Sequence, residues 1–274
     1  MFWTFGGSLL ERCDLTPSAS GTLADFHMGQ VVLTASSDRS IRVFSAKDGM
    51  NPRILQGHTR AITSLYIIEV GREVISAGKD GTIRLWDVSN GKEVKKWEVE
   101  KRRAIEGLVM IEDEAGKRHL GCEGEERVIV AACQSGHLFV QPWSKAGYAV
   151  EPVIQSALVS VAYSSELEII ATGHTNGVTI LRPLRSLTPS DLVTPTLIRR
   201  NESPIYSLTL IGTDLLVGTA AGLPCRLTVE AAEGEVRVSV KEEYAGWEAV
   251  GVECWTVRKD GIWCAGGEGG IRRY

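Results

Sequence analysis

A two-strand turn motif recurs six times along the chain, and this repeat constrains the fold more than any other sequence feature. In the segment VISAGKDGTIRLWD, a short apolar run leads into a polar turn that ends in glycine, and a run of alternating apolar and polar residues follows. Related segments recur at intervals of 41 to 55 residues. A period of this length indicates a repeat protein in which each unit is one supersecondary element. The residues at the turn position are Asp38, Asp80, Ser135, Asn176, Ala221 and Glu268.

Each unit has the pattern of an antiparallel β-sheet. After the turn in the second unit, Ile83 and Leu85 point to one face and Thr82 to the other, which is the period of a strand. Gly81 supplies the positive φ angle that a short hairpin needs. Another apolar run precedes each hairpin and a further one follows several of them, so we expect four strands per unit. Glycine has the same place in four other units, at Gly136, Gly177, Gly222 and Gly269.

Four strands in a unit of this length are typical of a propeller blade. A single blade cannot bury both of its faces, so blades pack face to face around a central axis. The sequence therefore predicts an all-β protein in which residues 1–274 form one β-propeller with six recognisable four-stranded blades. Seven blades are the alternative, if residues 1–30 hold another. The last unit ends on its third strand, at Tyr274, so we expect the N-terminal segment MFWTFGG to close the ring as the fourth.

Composition argues against several classes of protein. The 30 Lys and Arg residues against 34 Asp and Glu residues give a net charge of -4, so no global basic field favours nucleic acid or an anionic membrane. The chain contains no apolar run long enough to span a membrane. Glu11 interrupts the N-terminal segment before it could form the apolar region of a signal peptide. The six cysteines form no CxxC pair, which favours buried thiols in a reducing compartment. We expect a cytoplasmic or nuclear protein.

Sequence motifs for catalysis and cofactor binding are absent. The G-x-S-x-G, H-E-x-x-H and Walker A patterns do not occur, and Gly78-Lys79 lacks the spacing of a phosphate loop. The five histidines fall in different blades or loops, and His174 lies in a predicted turn, where solvated histidines are common. We therefore expect no catalytic residue, no metal and no cofactor. An enzyme site at the channel mouth, built from dispersed residues, stays open as an alternative.

Blade two carries the landmarks of a known family. Gly57-His58, the turn acid Asp80 and the dipeptide Trp86-Asp87 have the identities and spacing of a WD-repeat (WD40) blade, and the chain resembles that family. A partly buried imidazole and a buried indole N–H both require hydrogen-bond partners. The residues therefore favour a structural role over a catalytic one. The resemblance implies a hydrogen-bonded tetrad of His58, Ser76, Asp80 and Trp86.

A longer segment resembles a narrower family. Residues 36–87 resemble the corresponding two blades of the proteasomal ATPase-associated factor family, whose members are WD-repeat chaperones of the proteasome regulatory particle. The resemblance implies a protein–protein interaction scaffold, a monomeric propeller within a complex. Its implied partner is the C-terminal part of one regulatory-particle ATPase. The alternative is a propeller subunit of another stable complex, such as a chromatin, kinase-regulating or ubiquitin ligase assembly.

Two surfaces are candidate partner sites. An acidic insert between the first two strands of blade three is either a solvated excursion or a contact for a basic partner. Its acidic residues are Glu112, Asp113, Glu114, Glu123, Glu125 and Glu126. In a propeller, the residue before the turn acid and those after the Gly-His landmark surround the channel mouth, where Arg and Tyr are favoured interface anchors. These rim candidates are Ser37, Arg60, Lys79, Thr175 and Tyr206.

Overall fold

A computed structural model of the chain describes residues 23–27, 31–45, 48–50, 53–68, 72–188, 194–232, 235–245, 251–258, 261–266 and 270–274. These ranges contain 23 strands and a single α-helix, α1 (Glu114–His119). Two short 3₁₀ segments, Glu100–Arg102 and Leu184–Leu187, complete the regular structure. The all-β class predicted from the alternating pattern is confirmed.

The chain divides into two compact units, and the first extends to Glu106. This unit holds two four-stranded sheets, each an antiparallel meander in sequence order. Blade one consists of β1 (Leu23–His27), β2 (Val31–Ala35), β3 (Ser40–Ser45) and β4 (Arg53–Gln56). Blade two consists of β5 (Ile62–Ile68), β6 (Glu73–Gly78), β7 (Thr82–Asp87) and β8 (Lys92–Glu98).

The second unit begins at Gly107, just inside the first strand of blade three, and holds the remaining sheets. Blade three consists of β9 (Ile105–Ile111), β10 (Val128–Cys133), β11 (Leu138–Pro142) and β12 (Tyr148–Val150), and blade four of β13 (Leu158–Ser164), β14 (Ile169–His174), β15 (Val178–Pro183) and β16 (Thr196–Arg199). Blade five consists of β17 (Ile205–Ile211), β18 (Asp214–Thr219), β19 (Gly222–Ala232) and β20 (Glu235–Glu243), and blade six of β21 (Val252–Arg258), β22 (Gly261–Gly266) and β23 (Ile271–Arg273).

The hairpins predicted by the repeat join the second and third strands of the first five sheets, whereas the predicted turn residues of blade six, Glu268 and Gly269, lie outside the described residues. In blade two, Ala77 pairs with Ile83 across the turn, and Gly81 has a φ of 72°, at which a side chain would be strained. The six sheets confirm the six recognisable blades. Of residues 1–30, the structure describes β1, which belongs to blade one and not to a seventh. The segment MFWTFGG, predicted to close the ring, lies outside the described residues.

Both faces of the third strand of blade two are buried. Ile83 and Leu85 on one face, and Thr82 and Arg84 on the other, are each less than one-tenth exposed. Face-to-face packing of blades produces this pattern, whereas a sheet with one solvated face would leave alternate residues exposed. In the first unit, blades one and two share an apolar cluster that contains Leu33, Ile41, Leu55, Ile62, Val74 and Trp86.

Two larger apolar clusters lie in the second unit. One links blades three and four through buried residues such as Val130, Leu158 and Ile170, and the other links blades four and five through Leu181 and Val217. The described cysteines are free thiols, and all of them except Cys254 are buried. The predicted burial of the thiols is therefore confirmed at four positions and wrong at Cys254.

Candidate functional site

The four landmark residues of blade two form a continuous hydrogen-bonded chain. His58 lies between β4 and β5, with Nδ1 3.0 Å from Asp80 Oδ2 and Nε2 2.8 Å from Ser76 Oγ. Trp86 Nε1 donates to the same Ser76 Oγ at 2.8 Å. Because a carboxylate can only accept, Nδ1 carries a proton and donates to Asp80. All four side chains are buried, so each depends on its neighbours for its hydrogen bonds.

Asp80 is the centre of this network. Its carboxylate also accepts hydrogen bonds from the amides of Thr59 and Thr82, at 2.9 and 3.1 Å, and from the Thr82 hydroxyl at 2.8 Å. Burial opposes ionisation, but the hydrogen bonds from His58 and from the Thr59 amide outweigh it and hold the pKa of Asp80 well below its usual range. A carboxylate with this many donors is a poor proton acceptor for a substrate. The arrangement therefore suits a structural anchor.

Arg84 extends the network, although the landmark pattern does not single it out. Its guanidinium is buried, with Nε 3.2 Å from Thr82 Oγ1 and Nη1 2.5 Å from Glu93 Oε2. Gly57 packs directly on this group, because a methyl carbon there would lie 2.5 Å from Arg84 Nη1. The glycine of the Gly-His landmark thus makes room for a buried cation. The sequence feature that could have indicated this contact is the alternation in β7, which places Thr82 and Arg84 on one face.

Blade four also has a buried, hydrogen-bonded histidine, but at a different position in the blade. His174, at the end of β14, places Nε2 3.2 Å from Thr172 Oγ1 and Nδ1 3.3 Å from the carbonyl oxygen of Ser156. The side chain is only 2% exposed, so its interpretation as a solvated turn residue was wrong. Burial lowers the pKa of His174, against the opposing effect of the Ser156 hydrogen bond. Sequence could not show this in full, because Thr172 lies two residues away in the same strand but the Ser156 carbonyl comes from another loop.

The acidic insert of blade three is folded onto blade four. Asp113 caps α1 by accepting the Gly116 amide at 2.7 Å, and its other oxygen accepts the Tyr163 hydroxyl at 2.7 Å. Burial, reinforced by the Asp113 hydrogen bond, raises the pKa of Tyr163 far above its usual value. His119 Nε2 lies 2.8 Å from Glu168 Oε2 and makes a second link between the insert and blade four. The insert is thus attached to blade four at Asp113 and His119, whereas Glu112, Glu114, Glu123 and Glu126 are exposed, so both interpretations of its acidic surface stay open.

The acidic side chains of the insert have hydrogen-bond or ion-pair partners within the chain. Glu125 is buried and accepts hydrogen bonds from the amide and hydroxyl of Ser144, each at 2.7 Å. Burial opposes the ionisation of Glu125, but these hydrogen bonds prevail and keep its pKa low. The other ion pairs join Glu112 and Glu126 to Arg127, Glu114 to Lys117, and Glu123 to Arg118 across a longer 3.8 Å. The side chains of Glu112, Glu114, Glu123 and Glu126 are still exposed, and Glu112 and Glu126 share one arginine, so the insert keeps accessible negative charge.

The rim candidates are placed as follows. In the first unit, Arg60 and Lys79 flank the same turn, since the Lys79 amide donates to the carbonyl of Ala61 at 2.8 Å, and both are solvent-accessible. Ser37 is exposed in the turn of blade one. In the second unit, Thr175 is exposed, with Oγ1 3.2 Å from Ser156 Oγ. Tyr206, also in the second unit, is 44% exposed.

Among the described residues, no group of three or more His, Cys, Asp or Glu side chains could hold a metal ion. None of the helices in the described ranges is long and apolar enough to cross a membrane. A small, mainly apolar cavity lies between blades four and five, lined by residues that include Ile198, Val217 and Leu227. It contains none of the predicted site residues.

Comparisons with known proteins agree with this geometry. The model of the WD domain, G-beta repeat, matches residues 49–87. The Nuclear distribution protein PAC1 of Arthroderma otae is 39% identical over 61 residues, which cover 22% of this chain and 13% of that protein. Eukaryotic translation initiation factor 3 subunit I of Schizosaccharomyces pombe is 27% identical over 157 residues, which cover 55% of this chain and 46% of that protein. The chain thus spans less than half the length of these relatives.

A solved structure extends the likeness to nearly the whole chain. The β-propeller domain of Cps50 (Swd1) from Myceliophteria thermophila superposes with a TM-score of 0.69 at 16% identity, covering 92% of this chain and 88% of that one. At this identity the likeness shows the fold alone. The chain therefore has a WD-repeat sequence in blade two and a β-propeller fold. The names of these two relatives do not mention the proteasome, so the narrower resemblance of residues 36–87 stays a prediction.

Proposed function

We propose that this chain is a non-catalytic scaffold that binds a protein partner within a multiprotein complex, as one propeller over residues 1–274. The observation that carries the proposal is the tetrad, in which the most conspicuous polar side chains of blade two are buried and bonded to one another. The Asp80 carboxylate, the acid of this chain of residues, is occupied by hydrogen bonds from His58, Thr59 and Thr82. This is the main argument against an enzyme site at the channel mouth. The cytoplasm and the nucleus are the proposed locations.

The finer proposal names the partner. The resemblance of residues 36–87 to the proteasomal ATPase-associated factor family supports an assembly chaperone that holds the C-terminal part of one regulatory-particle ATPase. The mechanism is equilibrium binding, which masks one face of the ATPase until the ATPase ring joins the core particle. No bond is made or broken in this step. Release then depends on competition for the masked face.

A second candidate is a fixed subunit of another stable complex. It is supported by the similarity to eukaryotic translation initiation factor 3 subunit I, which spans 55% of this chain. The two candidates differ in the lifetime and composition of the complex. A chaperone leaves before its client matures, whereas a fixed subunit stays in the finished assembly and buries a larger, more apolar surface.

Affinity capture tests both candidates. The intact chain, carrying an affinity tag, is used as bait in lysate of its source organism, and bound proteins are identified by mass spectrometry at low and high salt, with the tag alone as control. The chaperone proposal predicts free regulatory-particle ATPases without core-particle subunits. A salt-resistant set of other proteins in fixed ratio would favour the second candidate. Retention of no protein above the control would contradict the scaffold proposal itself.

A further inference from the structure

We propose that a basic surface at the rim of blade two binds an acidic peptide segment of a partner protein. We call this surface the basic rim and define it as Arg60, Lys79, Lys101 and Arg102. The inference deepens the proposed scaffold function and rests on it. The surface has the opposite sign to the acidic insert of blade three and lies in the first unit of the chain.

The loop that carries two of these cations has a strained backbone. Lys101 and Arg102 have φ values of 60° and 48°, in the left-handed region that side chains other than glycine and asparagine rarely adopt. Two such residues in succession persist only where the surroundings hold them. A single glycine at either position would relieve this strain, so the contacts of the loop must maintain the conformation. In the sequence, the loop is marked by the basic run Lys101-Arg102-Arg103, which is not part of the repeat pattern.

The loop is fixed to the turn of blade two. The Val99 amide donates to the carbonyl of Gly81 at 2.9 Å, and the Arg102 amide donates to the carbonyl of Val99 at 2.8 Å. A methyl group on Gly81 would lie 2.5 Å from the carbonyl carbon of Arg102, so the Arg102 backbone rests directly on the glycine. The same turn contains Lys79, and its Asp80 carboxylate binds the Thr59 amide, next to Arg60. The four cations therefore surround one hydrogen-bonded turn.

The charges on this surface do not balance. The side chains of Lys101 and Arg102 are 72% and 70% exposed. Glu98 is shared between Arg102, at 3.2 Å, and Lys96, at 2.6 Å. Cations therefore outnumber the carboxylates that face them, and the excess is accessible to solvent.

The remaining carboxylates of the rim are held loosely. Glu100 lies 3.8 Å from the Lys101 ammonium and 3.7 Å from Arg103 Nη1, both beyond hydrogen-bond distance. Lys79 Nζ is 3.4 Å from Glu106. The exposed Arg60 makes no ion pair with any described residue. An incoming carboxylate can thus bind these donors without first breaking a short ion pair.

An acidic peptide fits this surface better than a nucleic acid does. The interspersed Glu98, Glu100 and Glu106 would repel a continuous phosphate backbone, whose charges cannot be spaced to avoid them. No exposed aromatic side chain lies among the rim residues to stack on a base. Carboxylates spaced along a peptide can contact Arg60, Lys79 and the loop separately. Complementary charge of this kind speeds association and rejects partners of the wrong sign.

The test mixes the full chain with a fluorescein-labelled peptide in which Glu alternates with Ser, and measures binding by fluorescence anisotropy at about 50 and about 300 mM NaCl. The decisive variant is Lys101→Gly with Arg102→Gly, because glycine accepts the positive φ and the fold should be as stable as before or more so. The matched control, Lys92→Ala with Arg118→Ala, removes two exposed charges elsewhere. We expect salt-sensitive binding to the wild type and to the control, weakened at least about tenfold in the glycine variant.

Three results would overturn the proposal. Equal binding by the glycine variant would show that the rim does not hold the peptide. Binding of a labelled oligouridylate of the same length, in preference to the peptide, would assign the surface to nucleic acid. Absence of peptide binding at low salt would show that the basic rim is not a peptide-binding site. If affinity capture still recovered a partner in that case, the scaffold function would stand, so the two failures are distinguishable.

Discussion

The hydroxyl of Ser207 donates a hydrogen bond to the carbonyl oxygen of Val252 at 2.8 Å, from the first strand of blade five to the first strand of blade six. The preceding pair of blades repeats this link, where the Ser160 hydroxyl donates to the carbonyl of Ile205 at 2.9 Å. Glycine stands opposite each serine on the second strand, and Gly218 pairs with Ser207. A methyl carbon on Gly218 would lie 2.3 Å from Ser207 Oγ. The glycine therefore sets how closely consecutive blades approach.

Gly218→Ala should destabilise the protein by about 1–3 kcal/mol, because the added methyl group overpacks a tight contact between blades. Urea unfolding followed by tryptophan fluorescence measures the loss. The informative control is the same substitution in a Ser207→Ala background, where the closest clashing atom is gone. Gly218→Ala should cost less there than in the wild type. An equal cost in both backgrounds would show that Ser207 is not what requires the glycine.

Ser76→Ala should cost about 1–3 kcal/mol, although it removes only one oxygen atom. That oxygen is the partner of both His58 Nε2 and Trp86 Nε1, and both groups are buried. Thermal unfolding should therefore shift to a lower temperature. Ser89→Ala is the matched control, because Ser89 is exposed and bonds only to the neighbouring Asp87. A melting temperature as high as that of the control would contradict the role assigned to the tetrad.

Acidification should lower the free energy of unfolding in two pH ranges. The pKa of His174 is below its ordinary value of 6.5, so the unfolded state binds more protons and stability falls as the pH drops below about 6.5. The pKa of Asp80 is below its ordinary value of 3.8, so its contribution is complete above that value and is lost below it. Urea unfolding at a series of pH values measures both. His174→Gln should flatten the upper range alone, and an unchanged slope there would contradict the burial argument.

Local sequence patterns predicted the blades well and the contacts between them poorly. The turn glycine Gly81 and the alternation of Ile83 and Leu85 depend on a few neighbouring residues, so the hairpins follow from them. Asp113 accepts a hydrogen bond from Tyr163, which lies fifty positions later in the sequence, and no local pattern connects the two residues. His174 was misjudged for the same reason, since burial of a turn residue is decided by a loop outside the hairpin. Charge counted along the sequence likewise could not show which carboxylates were already paired.

Tyr163→Phe should loosen the blade-three insert while leaving the rest of the chain folded. The substitution keeps the ring and removes the hydroxyl that donates to Asp113, so α1 loses one of its two side-chain links to blade four. Hydrogen exchange measured by mass spectrometry should speed up in peptides that cover residues 112–120, with little change in β14 or β15. Tyr148→Phe is the control, because its hydroxyl makes only a 3.5 Å contact with the carbonyl of Leu120. Faster exchange throughout blade four would mean that Tyr163 supports the blade itself, whereas unchanged exchange in residues 112–120 would mean that the His119–Glu168 pair holds the insert alone.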